Sequence, residues 1–192
     1  MSESDPTESD IEDTWKILVE GLDGTGKSTL CQKLNDFLPD CELWHAPSNP
    51  EAVTNFQIRT WYEHACTMVP MGYGNIIYDR WWPSTLAFTE AYYENSFEQK
   101  AQLFCSKLGV PDIVFYLKCG KATSCERIVK RDDLLSPEEK QLDVNAEFRE
   151  KVEFTLDRCI QILKEQGARV IHLNTDEYDS ESLFERAKEE LE

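Results

Sequence analysis

The segment Gly21-Leu-Asp-Gly-Thr-Gly-Lys27-Ser28 constrains this chain more than any other, because it meets the spacing G-x-x-x-x-G-K-[ST]. That spacing carries chemistry only between a strand and a helix. Lys16-Ile-Leu-Val-Glu20, just ahead of it, is a short apolar run that reads as a buried strand. Behind it, Leu30, Leu34 and Leu38 recur at helical spacing until Pro39 stops the helix. Glycines in such a loop turn backbone N–H groups toward a phosphate, and the helix N-terminus adds partial positive charge. Gly21, Asp23, Gly24, Thr25, Gly26, Lys27, Ser28 and Thr29 are therefore candidate ATP-binding residues. Lys27 would reach the β- and γ-phosphates, and the Ser28 hydroxyl would hold Mg2+. The same loop serves many nucleotide hydrolases and kinases, so it speaks for the donor and is silent on the acceptor.

The rest of the sequence alternates strands with helices. Strands are predicted at 42–45, 75–79, 112–117 and 169–173, and helices at 55–68, 85–93, 97–108, 121–131, 144–166 and 180–191. The clearest helix carries Phe148, Val152, Leu156, Ile160 and Leu163 on one stripe, and the last is capped by Asp179 or Ser180. Short apolar strands separated by helices predict an α/β fold: a five-stranded parallel sheet with helices on both faces. With the phosphate loop, this is a P-loop NTPase fold. Residues 14–192 read as a single domain.

Charge narrows the partners. A formal net charge of −17 argues against an open nucleic-acid surface, where lysine and arginine must neutralise phosphates. A small anionic substrate stays compatible, since only the pocket need be positive. Residues 1–13 carry six acids and no base, which reads as a disordered acidic tail and is the reverse of an Arg-rich mitochondrial presequence. No apolar run approaches the ~20 residues that span a bilayer, so no membrane association is expected and cytoplasmic placement is the default. Seven scattered cysteines without a C-x-x-C pair, and three histidines without ligand spacing, predict neither disulfides nor a zinc site.

The third predicted strand ends in Asp79-Arg80-Trp81-Trp82-Pro83-Ser84-Thr85. Ligands in open parallel sheets sit beyond the carboxyl ends of the strands, which puts Asp79 and Arg80 beside the phosphate loop. A carboxylate there can hold the water shell of Mg2+, and an arginine can clamp a phosphate with both arms. An exposed ion pair at a strand end is the plainer reading of the same two residues.

Together these segments resemble the thymidylate kinase family of nucleoside monophosphate kinases. Val19 to Thr29 is similar to that family's phosphate loop, Asp79-Arg80 to its D-R-[YF] motif, and Pro111 to Leu117 to its P-D-L-V-L-F-L strand. Asp79 to Thr85 and Asn145-Ala-Glu-Phe-Arg-Glu-Lys-Val-Glu153 look most like the thymidylate kinase-like domain of UMP-CMP kinase 2, a mitochondrial pyrimidine enzyme. The resemblance runs from about Trp15 to Leu173. It implies ATP and Mg2+, and transfer to a pyrimidine (deoxy)nucleoside monophosphate: dTMP, dUMP, UMP or CMP. It implies Arg80 on the acceptor phosphate, Asp79 with Ser28 at the metal, and Asp23 on the acceptor sugar 3′-hydroxyl. It further implies Arg59 near the acceptor base and Phe88 against the sugar. Arg59 on a solvated helix face and Phe88 in the core are the competing readings.

The sequence also departs from the family. His45-Ala-Pro-Ser48 stands where R-E-P-G is usual, and the phosphate loop has no arginine before its last glycine. Family members without that arginine place arginines in a lid. The lid candidate here, 132–141, contains Lys140 as its one base. Arg127 and Arg131 at its entrance and Arg149 behind it are the candidate donor-phosphate contacts, or else a solvated basic face. The expected catalytic set is Lys27, Asp79, Arg80 and Arg131. A deoxynucleoside kinase and a catalytically weak nucleotide-binding regulator remain the alternatives, and a homodimer stays open.

Overall fold

The structure is a computed structural model that describes residues 14–45, 74–93, 97–130 and 145–192. The predicted tail, the helix at 55–68 with Arg59, and the lid with Arg131 lie outside these residues. The described elements are β1 (Lys16–Gly21), α1 (Lys27–Phe37), β2 (Cys41–His45), β3 (Asn75–Asp79), α2 (Trp82–Tyr93) and α3 (Phe97–Leu108), then β4 (Ile113–Lys118), α4 (Lys121–Lys130), α5 (Ala146–Glu165), β5 (Arg169–Asn174) and α6 (Ser180–Lys188). The strands form one parallel sheet in the order β2-β3-β1-β4-β5.

Alternation along the central strands divides the core in two. Leu18 of β1 and Val114 and Tyr116 of β4 face Leu86 of α2, Phe104 of α3 and Leu156 of α5. Ile17, Val19, Ile113 and Phe115 face Leu30 and Leu34 of α1 and Leu183 of α6. Burial on both faces is why these strands read as unbroken apolar runs. The stripe on α5 faces the sheet: Val152, Leu156, Cys159, Ile160 and Leu163 are all buried. Truncating a fully buried leucine such as Leu156 removes about 2–5 kcal/mol. Asn145 caps this helix by accepting the Phe148 N–H at 3.1 Å, and Asp179 caps α6 through the N–H groups of Glu181 and Ser182.

One boundary differs in an informative way. α2 begins at Trp82, three residues before the predicted Thr85. Pro83 fits in the first turn because the N–H it lacks has no intrahelical partner there. The N–H groups of Trp81 and Ser84 need acceptors from elsewhere, and Glu20 of β1 supplies them. In this strand order the chain leaves β1 toward β2 and β3 and leaves β3 toward β4. The crevice at the carboxyl ends of β1 and β3 is thus where a ligand is expected.

Candidate functional site

The loop between β1 and α1 is shaped by its glycines. Gly24, at φ +79°, lies so close to α4 that a Cβ would stand 2.5 Å from the Ser124 carbonyl oxygen. Gly26, at φ +91°, opens onto free space, where a side chain would project into the cradle. The Leu22 carbonyl oxygen accepts from Thr25 Oγ1 at 2.8 Å and from Lys27 Nζ at 2.7 Å, which closes the loop on itself. Lys27 is 5% exposed. Burial, reinforced by the nearby Arg80 charge, pulls its ammonium down to about 8 against the pull of Asp23, Asp79 and Glu20.

Asp79 ends β3 at the same rim and is 4% exposed. Its register partner on β2 is His45, whose Nδ1 lies 3.1 Å from Asp79 Oδ2. Burial pushes the Asp79 carboxyl up, but His45, Lys27 and a hydrogen bond from Ser28 outweigh it and hold the group below its ordinary value. The other oxygen, Oδ1, is buried and accepts no hydrogen bond. An ionised carboxylate with one bare oxygen, next to a serine hydroxyl, matches the oxygen chemistry of Mg2+. Among the described residues no group of three or more His, Cys, Asp or Glu could hold a metal.

Arg80 follows in a left-handed conformation, φ +69°, which is uncommon outside glycine and turns the side chain back over the loop. One arm of its guanidinium pairs with Asp23 Oδ1, and the other donates to Ser84 Oγ at 3.0 Å. Its Cζ lies over the Phe88 ring, 5.4 Å from the centroid. Burial works against the Arg80 charge, yet Asp23, Glu20 and Asp79 more than compensate and raise its pKa. In the predicted pair Asp79-Arg80 the carboxylate is buried, the guanidinium part-buried, and the two are separately engaged rather than a surface ion pair.

Sequence reasoning missed Glu20, which is fully buried. It accepts from Trp81 N, Ser84 N, Ser84 Oγ and Gly21 N at 3.1, 3.2, 2.7 and 3.3 Å. The available signal was an acid closing an apolar strand at an inward-facing position. Phe148 was also missed as a site residue. It pairs with Phe88 at 6.0 Å, and both line a small cavity with Leu22, Asp23, Arg149 and Val152. Arg149 is 6% exposed and donates to Ser124 Oγ at 2.6 Å. Arg127 donates to the Gly24 carbonyl oxygen at 3.2 Å and to Thr175 Oγ1 and O at 2.9 and 3.1 Å, fastening the phosphate loop to the segment after β5. Lys27, Ser28, Asp79, Arg80, Asp23 and Phe88 thus converge on one rim.

A family model described as Thymidylate kinase matches residues 71–172, more than half of the chain. The chain belongs to the thymidylate kinase family. The match includes Asp79, Arg80, Phe88, Arg127 and Arg149 and excludes the phosphate loop, so loop and match are independent observations. This thymidylate kinase-family protein is a nucleotide kinase. No curated protein sequence matches it. Its fold is similar to deoxyadenosine kinase from M. mycoides with dCMP and dCDP bound, at 19% identity over 91% of this chain and 97% of that one, TM-score 0.68. It is likewise similar to thymidylate kinase from Candida albicans, at 20% identity over 93% and 91%, TM-score 0.60. At these identities the likeness establishes a shared P-loop kinase fold. No helix of the described residues is long and apolar enough to cross a membrane.

Proposed function

We propose that this family member transfers the γ-phosphoryl group of ATP to a pyrimidine (deoxy)nucleoside monophosphate, one of dTMP, dUMP, UMP or CMP. The observation that carries the reading is the placement of Arg80: a part-buried guanidinium, 14% exposed, held over the phosphate loop with the loop's own Asp23 on one arm. A carboxylate on that arm occupies the position an acceptor phosphate would take. Residues 14–192 act as one domain, with 132–141 as its lid. Within the family, the nearest relation proposed is to the thymidylate kinase-like domain of UMP-CMP kinase 2. The N-x-x-F-R segment behind that likeness contributes Phe148 and Arg149 to the cavity beside Asp23.

Phosphoryl transfer needs positioning and charge neutralisation more than covalent help. The backbone of Gly24 to Thr29 and Lys27 would hold the donor phosphates, and Ser28 and Asp79 would hold Mg2+. When bound, the ion neutralises charge on the phosphate oxygens. The incoming acceptor phosphate would replace Asp23 on Arg80, which frees that carboxylate for the acceptor sugar. Phe88, backed by Phe148, would pack on the sugar, and Arg59 would approach the base. Arg127 and Arg149 would brace the loop from below, leaving Arg131 to face the donor phosphates. No general base is required, since an acceptor phosphate is ionised near neutral pH.

Transfer to a deoxynucleoside makes the opposite demand. A 5′-hydroxyl needs a base, and β2 ends in His45, whose ring is turned to Asp79. A coupled assay of ADP release across dTMP, dUMP, UMP, CMP and thymidine separates the two. Turnover of a monophosphate without thymidine is expected; turnover of thymidine alone would replace this reading with the deoxynucleoside one. ATP binding without turnover of any acceptor would favour a regulator.

A further inference from the structure

We infer that Glu20 is a positioning residue that sets the acceptor clamp at a fixed distance from the phosphate loop. The inference rests on Arg80 as that clamp. Glu20 immediately precedes Gly21, the first residue of the loop, and its carboxylate crosses to the start of α2. Both oxygens meet only donors: Oε1 receives Trp81 N and Ser84 N, and Oε2 receives Ser84 Oγ and Gly21 N. Ser84 Oγ in turn receives Arg80 NH1 at 3.0 Å, so the hydroxyl relays the carboxylate to the guanidinium.

A buried carboxylate among donors needs to be ionised to satisfy them. Burial raises its pKa above the ordinary value, and Arg80, the Ser84 and Trp81 hydrogen bonds and Lys27 offset that rise only in part. Glu20 thus faces the charges of both Lys27 and Arg80 and bonds both segments that carry them. Backbone hydrogen bonds alone would satisfy the end of α2. The link from Ser84 Oγ to Arg80 is the part a simple helix cap does not need.

Ser84→Ala removes that link and keeps the Ser84 N–H bond to Glu20, so the cap survives. We expect acceptor KM to rise about tenfold, the scale of losing a charge-assisted hydrogen bond, with ATP affinity changed less than about twofold. Glu20→Gln, which replaces an acceptor by an amide donor facing donors, should lower kcat/KM for the monophosphate by about 10- to 100-fold. Glu20→Gln in an Arg80→Ala background should add less than about threefold, because both changes break the same chain of contacts. The measurements are steady-state kinetics with the preferred monophosphate and ATP titration of each variant. A folded Ser84→Ala enzyme with unchanged acceptor KM, or full additivity of Glu20→Gln with Arg80→Ala, would reduce Glu20 to a structural cap. If Arg80→Ala alone leaves acceptor kinetics intact, the clamp itself fails, and that result is read independently of Glu20.

Discussion

Lys27 is buried and Arg80 part-buried at the carboxyl end of the same sheet, and desolvation drives both toward losing a proton; they nevertheless end up shifted in opposite directions. Arg80 has an ion-pair partner in Asp23 and a hydrogen-bonded relay through Ser84 to Glu20. Lys27 has the neutral carbonyl of Leu22, and its largest charge interaction is repulsion from Arg80. The acceptor half is balanced before any ligand arrives. The donor half holds a cation that Asp23, Asp79 and Glu20 compensate only in part, and the triphosphate would supply the rest of its counter-charge. Buried charges are costly unless paired, so nucleotide binding should relieve part of the cost of burying Lys27.

The largest effect that would break this contrast concerns Lys27. Lys27→Ala should lower turnover at least about 10²-fold, the scale of losing one charge-stabilising group. Its melting temperature without nucleotide should be no lower than that of the parent, since an undercompensated charge is removed. Near-normal turnover in this variant would refute the phosphate-loop assignment.

Arg80 should behave in the reverse manner. Arg80→Ala should cost about 2–4 kcal/mol in kcat/KM for the monophosphate, roughly 30- to 900-fold. It should also lower the melting temperature, because Asp23 and Ser84 each lose a charge-assisted contact. ATP affinity should change less than about threefold, as the loop backbone and Lys27 hold the donor. Arg80→Lys should recover only part of the activity, since a point charge does not reproduce the planar fork. Loss of ATP affinity with acceptor KM unchanged would move Arg80 to the donor side.

The same contrast explains what was legible beforehand. The donor loop is a local pattern, and strand 75–79 and helix 97–108 have the bounds that their apolar runs and flanking turns indicate. The acceptor clamp is assembled across long separations: Arg80 meets Asp23 from 57 residues away, and Glu20 meets Trp81 from 61. Spacing encodes no such pairing. Glu20 hid inside a run that reads as strand, and its reach across the crevice moved the start of α2 to Trp82. Arg127 and Arg149 read as phosphate contacts because basic residues near a lid suggest them. Their bonds to Gly24, Thr175 and Ser124 depend on how α4 and α5 meet the loop, which no local pattern specifies.

The smallest expected effect sharpens the comparison through pH. The folded Lys27 value of about 8 lies below the ordinary lysine value of 10.5. Between those values the unfolded chain retains a proton that the folded protein has released, so this residue makes stability increase with pH across that window. Below about pH 8 both states are protonated and its penalty is fully present; above 10.5 it has vanished. The full difference is on the order of 3 kcal/mol. Other lysines, tyrosines and thiols titrate in the same range, so the useful quantity is the difference between the parent and Lys27→Met, in which only this group changes. Lys27→Met should be the more stable protein at pH 7, and its advantage should shrink steadily from pH 8 to pH 10. Urea unfolding without nucleotide, at half-unit steps from pH 7 to 10, measures it. Arg80 stays charged throughout that range, so Arg80→Ala should show no comparable pH-dependent convergence with the parent. A pH-independent difference for Lys27→Met would mean that Lys27 is compensated as fully as Arg80, and the contrast between the two halves would fall.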